Sequence, residues 1–351
     1  MEKSVSAPPA GLPARIFTGH WQGGHIQGIA LDLQRRHLYC SFTTELVKLD
    51  LQGNLIGTVE GLTGHLGCLC LGPDGRIYGS REYKNDAIGQ GILKRKGIDA
   101  RHPDAFYIAV FDGERITRPH MDAARDGVMT AVCLPEVAED YAFPGHRYGC
   151  SGIDGLSFGP DFGQPAGAPL LCVACGIYGD TGRADNDHQV LLQYDTRDWS
   201  RREGPLSPDT LRREGAACRK RYFVRTGNTT YGVQNLEYDP FLNRWLMAVY
   251  PGKKPQFPNR PLYMIDGSVP PVRTALQGLP EEGELLSLCG GGLPHPSGIE
   301  GWDFPWGSTG IAALGDGYYY FSEDRREDAG YCSDIRLYRW CGEPERAFAR
   351  V

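Results

Sequence analysis

The stretch GIALDLQRRHLYCSF, Gly28–Phe42, runs on into ELVKLDLQG, Glu45–Gly53, and its reading decides the fold. A glycine opens an apolar run, a turn leads to a second β-rich run, and a third run ends near an aspartate. Short runs of this kind, bounded by turn formers, read as strands. The pattern returns four times. It recurs as CLCLGPDGRIYGSREY, Cys68–Tyr83, followed by YIAVFDGE ending at Glu114. A third copy is GLSFGP from Gly155, LLCVACGIYGD ending at Asp180 and VLLQYDT ending at Thr196. The fourth is NLEYDPFLNRWLMAVY, Asn235–Tyr250, with LYMIDGS ending at Ser268. The fifth is GIAALGDGYYYFSED, Gly310–Asp324, with IRLYRW ending at Trp340.

Turn sequences such as Pro73-Asp74-Gly75 and Gly315-Asp316-Gly317 fall where the first two strands of a unit would join. Outer strands are expected at Asn54–Glu60, Val128–Leu134 and Val272–Leu276. Either Arg346–Val351 or Arg15–Thr18 could complete the last unit. Four-stranded antiparallel units around an axis leave only short, protected edges. The expected fold is therefore all-β: one β-propeller domain over 1–351, with five blades of four antiparallel strands. The blades fall at about 25–61, 66–134, 151–220, 230–278 and 307–351, and segment 1–20 is available to close the ring. Long helical periodicity is absent, and Lys84–Asp104 has room for an extra strand pair.

A formal charge of -6 and the lack of a basic run argue against nucleic acid or an anionic membrane as partner. No apolar stretch is long enough to span a bilayer, and Met1–Arg15 lacks a secretory h-region. The 11 cysteines are odd in number and lie mostly in strand-like runs, which fits reduced thiols and a cytoplasmic location. Oligomeric state is left open.

The unusual polar residues gather in two loop sets that share one face of a propeller. Aligning the first strands places Gln27, Gly67, Asp154, Gln234 and Thr309 at one equivalent position. Two residues earlier, on the same side of each strand, stand His25, His65, Gly152, Gly232 and Gly307. Such a ring converges on a channel mouth, with two histidines from neighbouring blades and room left by glycines. His25, His65 and Asp154 are the central catalytic candidates, joined by Glu82 and Glu323 just past the second strands. Gln27, Tyr83, Lys84, Tyr231, Gln234, Trp306 and Arg325 are candidates for holding substrate. As single residues, a turn histidine, a loop-capping Asp154 and solvated Glu82 or Glu323 are the plain alternatives. Asp185, Asp187 and His188 read more readily as a solvated loop than as a metal cluster. Cys172-Val-Ala-Cys175 lies inside an apolar strand and reads as core. No P-loop, GxSxG or HExxH is present.

Carboxylates, amides, histidines and rings such as Trp21, Tyr83, Tyr231, Trp302 and Trp306 suit a small saccharide or sugar acid. Glycosidic cleavage needs one protonated and one ionised carboxyl, which Asp154, Glu82 and Glu323 could supply. In blade count and mouth placement the chain resembles the five-bladed carbohydrate-active propellers, which include arabinanase-like hydrolases, fructan-active enzymes and mannoside phosphorylases. Their catalytic segments are not matched, so hydrolase, phosphorylase and lyase stay open. The histidines with Gln234, and His188 or His295, also look like the three-histidine-plus-glutamine metal site of oligogalacturonate lyase propellers. That likeness implies a divalent cation, manganese or calcium, at His25, His65, Gln234 and His188, with Lys84, Tyr83 or Arg325 moving the proton. A calcium-dependent sugar lactonase is a further variant. The non-catalytic alternative is a propeller binding a glycan or a protein at its mouth.

Overall fold

A computed structural model describes residues 9, 11–99, 102–206 and 215–351. The five repeats fold as the five blades of a β-propeller. The first blade is Ile26–Asp32, His37–Phe42, Glu45–Asp50 and Leu55–Glu60, all antiparallel neighbours. The second is His65–Leu71, Ile77–Tyr83, Ala105–Phe111 and Met129–Cys133. The third is Cys150–Gly159, Leu170–Ile177, His188–Tyr194 and Lys220–Arg225. The fourth has three strands, Thr229–Asp239, Arg244–Pro251 and Leu262–Asp266. The fifth is built on Ile311–Gly315, Tyr318–Glu327 and Gly330–Glu343.

Alternation along the strands explains why the sheets stand side by side. Both faces of a blade are apolar, and each face packs on a different neighbour. Leu171 and Val173 join a buried cluster with Tyr78 and Phe106 of the second blade. Cys172 and Ala174, one step along, join Val233 and Trp245 of the fourth. Equivalent clusters join the first and second blades, the fourth and fifth, and the fifth and first. Among the described residues each junction has its own core, so the ring is closed by packing all the way round.

Both candidate closing segments are used. Arg15–Phe17 pairs with Asp334–Arg336, and Arg346–Arg350 pairs further along the same strand, at Tyr338–Glu343. Of the N-terminal segment 1–20, residues 1–8 and 10 lie outside the described residues.

Two expectations are corrected. Val272–Ala275 does not edge the fourth blade. It forms a hairpin with Glu282–Leu285, which joins Lys220–Arg225 in parallel. The outer edge of the fourth blade is met by irregular chain instead: Asp266 N–H donates to Ser287 O, Cys289 N–H to Met264 O, and Trp302 N–H to Leu262 O. Lys84–Asp104 holds a helix, α1 (Ala87–Arg95), rather than a strand pair. Asp86 caps it by accepting from Gly89 N–H at 2.9 Å, and Ile92 and Leu93 are buried beneath it. A second helix, α2 (Pro135–Ala142), starts on a proline at its first turn. Among the described residues no helix is long and apolar enough to cross a membrane, and no disulfide joins the eleven cysteines.

Candidate active site at the channel mouth

Backbone bulges aim the site. In the first strand of four blades one extra residue is inserted, at Gln27, at Gly67–Cys68, at Asp154–Gly155 and at Gln234. A bulge bends its strand and redirects a side chain, and these four sit on the ring position that the repeats share. Beyond the bulges, the pairs Ile29–Cys40, Leu69–Gly79, Leu156–Val173, Leu236–Met247 and Ile311–Phe321 lie in a common register. Counting three residues on from the second partner gives Thr43, Glu82, Gly176, Tyr250 and Asp324.

The first four of these line one cavity of about 250 Å³. His25, Gln27, His65, Lys84, Ser151, Ile153, Asp154, Tyr231 and Gln234 complete its wall, with Ile88 and Arg95 contributed by α1. Its polar floor is organised around Glu82. One carboxylate oxygen accepts Ile153 N–H at 2.6 Å, and the other lies 2.8 Å from Lys84 Nζ and 3.7 Å from His65 Nδ1. Lys84 also donates to Ser151 O at 2.8 Å and lies 3.6 Å from Asp86. Gly152 and Gly67 make this floor possible. A Cβ on Gly152 would fall 1.8 Å from Glu82 Oε1, and one on Gly67 2.3 Å from Asp154 Oδ1.

Protonation follows burial. Burial, with Lys84, His25 and Arg95 nearby, pushes His65 down to about 3. Burial also lowers His25, aided by Arg95 and opposed by Asp324. Both rings are therefore neutral at physiological pH. Gln27 Nε2 meets His25 Nε2 at 3.0 Å and Thr43 Oγ1 at 3.1 Å, while His65 Nδ1 makes no hydrogen bond. Burial and the Glu82 charge raise Asp154 well above the carboxylate range, against Lys84 and a Gln234 hydrogen bond. Glu82 is raised by burial and held back by Lys84. Burial alone would lower Lys84, but Glu82, Asp86 and Asp154 outweigh it and keep the ammonium charged. One acid in its neutral form thus faces two neutral imidazoles across a fixed Glu–Lys pair.

Several candidates lie elsewhere. Glu323 accepts from Tyr338 Oη at 2.6 Å and Arg350 Nη2 at 2.5 Å, at the outer strands of its blade. Arg325 is paired with Glu327 at 2.6 Å. Tyr83 is buried behind the wall and accepts from Arg81 Nη2 at 2.6 Å. Trp306 packs on the core between the fourth and fifth blades, in which Trp302 is buried, and Trp21 packs between the fifth and first. His188 stands on the third strand of its blade, edge-on to Phe223, so the four-ligand metal set is not assembled. Asp185 is bound by Arg183 at 2.8 Å and Asp187 by Lys254. His25, His65 and Gln234 do share the mouth. Among the described residues, the one trio of His, Cys and carboxylate donors within 4.8 Å is His20, Glu327 and Cys332, outside this cavity.

Sequence reasoning missed Thr43, Ser151, Tyr250, Arg95 and Asp324. Asp324 accepts from Thr309 Oγ1 at 3.3 Å and acts electrostatically on His25 and Tyr250. Tyr231 adds a ring 38% exposed at the rim, on backbone with φ of 64°. That strained conformation is of the kind functional sites retain.

No family model and no curated protein sequence matches the chain. Among solved structures, it is similar to the PQQ-bound aldose sugar dehydrogenase of Streptomyces coelicolor, at 10% identity over 93% of this chain and 99% of that one, with a TM-score of 0.35. A glucose dehydrogenase gives 11% identity over 92% and 99% of the two chains, with a TM-score of 0.41. The propeller domain of Myceliophteria thermophila Cps50 (Swd1) gives 11% identity over 93% and 71%, with a TM-score of 0.36. Resemblance at this level is one of general build, and the chemistry has to be read from the site itself.

Proposed function

We propose that the mouth is the active site of an enzyme that hydrolyses a small sugar-derived ester, a sugar lactone being the simplest case. The observation that carries this reading is the juxtaposition of neutral His65, flanked by Glu82, with an Asp154 kept protonated in the same cavity. Glu82 stands on the Nδ1 side of His65 at 3.7 Å, where its charge favours the ring when it takes up a proton. The free nitrogen takes a proton from water as the water oxygen bonds to the lactone carbonyl carbon. Asp154 donates a hydrogen bond to the carbonyl oxygen as charge develops there. The ring C–O bond then breaks, and the proton held by His65 passes to the departing oxygen, giving a hydroxy acid. Gln27 and Gln234 offer amides to sugar hydroxyls, and Tyr231 offers a ring face.

Glycoside cleavage has less support, because it asks for a second free carboxyl. Glu82 is tied to Lys84 and Ile153, and Glu323 faces the outer strands. Lys84, gripped by Glu82 and Ser151 O, is a poor base for uronate elimination.

The test is acid release from a panel of aldonolactones, run beside aryl glycosides and a metal analysis. Lactone turnover that falls about 10²–10⁴-fold in His65→Gln and in Asp154→Asn, with unchanged melting, is expected. Glycoside turnover without lactone opening would overturn the reading. So would stoichiometric manganese or calcium lost in His25→Ala/His65→Ala, which would route the chemistry through a metal.

A further inference from the structure

We infer that the ligand of this mouth is a compact oxyanion, a sugar carrying a carboxylate or a phosphate, and that Arg95 at the end of α1 selects it. The inference rests on the reading of the mouth as a sugar site. Two cations line the cavity, Lys84 and Arg95. Lys84 is spent on Glu82, Asp86 and Ser151 O, and cannot reach a ligand without leaving a buried carboxylate unpaired. Arg95 is exposed at the rim, and among the described residues its guanidinium has no ion-pair or hydrogen-bond partner. A free guanidinium over a concave polar cavity presents a planar fork that matches carboxylate or phosphate oxygens.

The surrounding groups agree. The fixed carboxylates nearest the cavity are muted, Glu82 by its lysine and Asp154 by its proton, so they do not repel an anion. His25 and His65 are neutral, and His25 offers one N–H to ligand oxygens. Ile88, seven residues or about two helical turns before Arg95, closes the same side of the cavity with an apolar wall. The helix thus brings a charge and a water-excluding surface together, and its cap, Asp86, is in turn within reach of Lys84. Arg95 touches the ligand without touching the reacting atoms, and its role is specificity.

Calorimetric titration of the full chain with D-glucuronate, its neutral methyl ester, D-glucose and D-glucose 6-phosphate tests this without turnover. The anions should bind roughly tenfold or more tightly than the neutral sugars, as one charge-assisted fork supplies. The two anions tell carboxylate from phosphate. Arg95→Gln should erase that preference while leaving neutral sugars unaffected, and Lys94→Gln, one residue along and exposed, should keep it. Equal binding of charged and neutral sugars, or a preference that survives Arg95→Gln, overturns the inference. Charge-selective binding with no hydrolysis would sink the lactone reading and leave this one standing, and turnover of neutral lactones without charge preference would do the reverse.

Discussion

The two ends of the channel are made by the same first strands and differ in the groups those strands present. At one end the strands are bulged and carry Gln27, Asp154 and Gln234 into the mouth cavity. At the other end Ile29, Leu31, Leu69, Leu71, Phe158 and Ile311, with Ser157 and Glu237, line a second cavity of about 210 Å³. Between them, buried Asn235 spans the channel, donating to Gln27 O at 2.8 Å and Ser308 O at 2.9 Å and accepting from Cys68. Each end holds a carboxyl raised by burial. Glu237, at the far end, is pushed up to about 8, although Ala313 N–H at 2.8 Å and Ser157 Oγ at 3.2 Å bond to it. Asp154, at the mouth, has Glu82, Lys84 and Gln234 around it. A raised carboxyl alone therefore does not mark a reaction site. What distinguishes the mouth is that its acid shares a cavity with two histidines and with Arg95, which a ligand can reach.

Substitutions at the two ends should separate on this basis. The largest effect is expected for Lys84→Met, which leaves Glu82 buried without its partner and should cost about 3–5 kcal/mol of stability in denaturant unfolding. Gly152→Ala follows. Its φ of 125° and the collision with Glu82 should cost about 1–3 kcal/mol and misplace the carboxylate, read as lost stability and lost turnover together. Asp154→Asn should leave melting nearly unchanged and lower turnover about 10²–10⁴-fold. Turnover in the wild type should rise with pH as His25 and His65 lose their protons, below the ordinary histidine range, and fall as Asp154 ionises above the carboxylate range. The smallest effect is expected at the far end, where Glu237→Gln should leave turnover untouched. A carboxyl whose folded-state pKa is raised stabilises the fold below its unfolded value and loses that contribution as pH rises towards about 8. The melting temperature of the wild type, relative to Glu237→Gln, should therefore fall between pH 5 and 8. An activity loss in Glu237→Gln equal to that in Asp154→Asn would break the comparison.

The same contrast explains what could be read from sequence. Strand alternation and turn chemistry made five units visible, and aligning first strands put Gln27, Asp154 and Gln234 on one ring because all three carry the same bulge. Position 323 was chosen by its nearness to the strand end. The register from Ile311–Phe321 points to Asp324 instead, and one residue along a strand reverses the face. Helix α1 was hidden because Gly89 and Gly91 interrupt it and its apolar positions are few. Asp86 ahead of Ile88, Ile92 and Leu93 was the available signal. From sequence the tryptophans read as rings for the apolar faces of a sugar, yet Trp302 and Trp306 serve the junction between blades, a distinction that composition does not carry.

The shared strand Gly330–Glu343 has a mechanical consequence. Because Arg15–Phe17 and Arg346–Arg350 lie end to end along it, the clasp is a splice rather than a single overlap. Tension applied through the two chain ends would shear both short segments against one strand, so the ring should yield first at this seam and open there as a unit, with the mouth's bulged strands the last to feel the load.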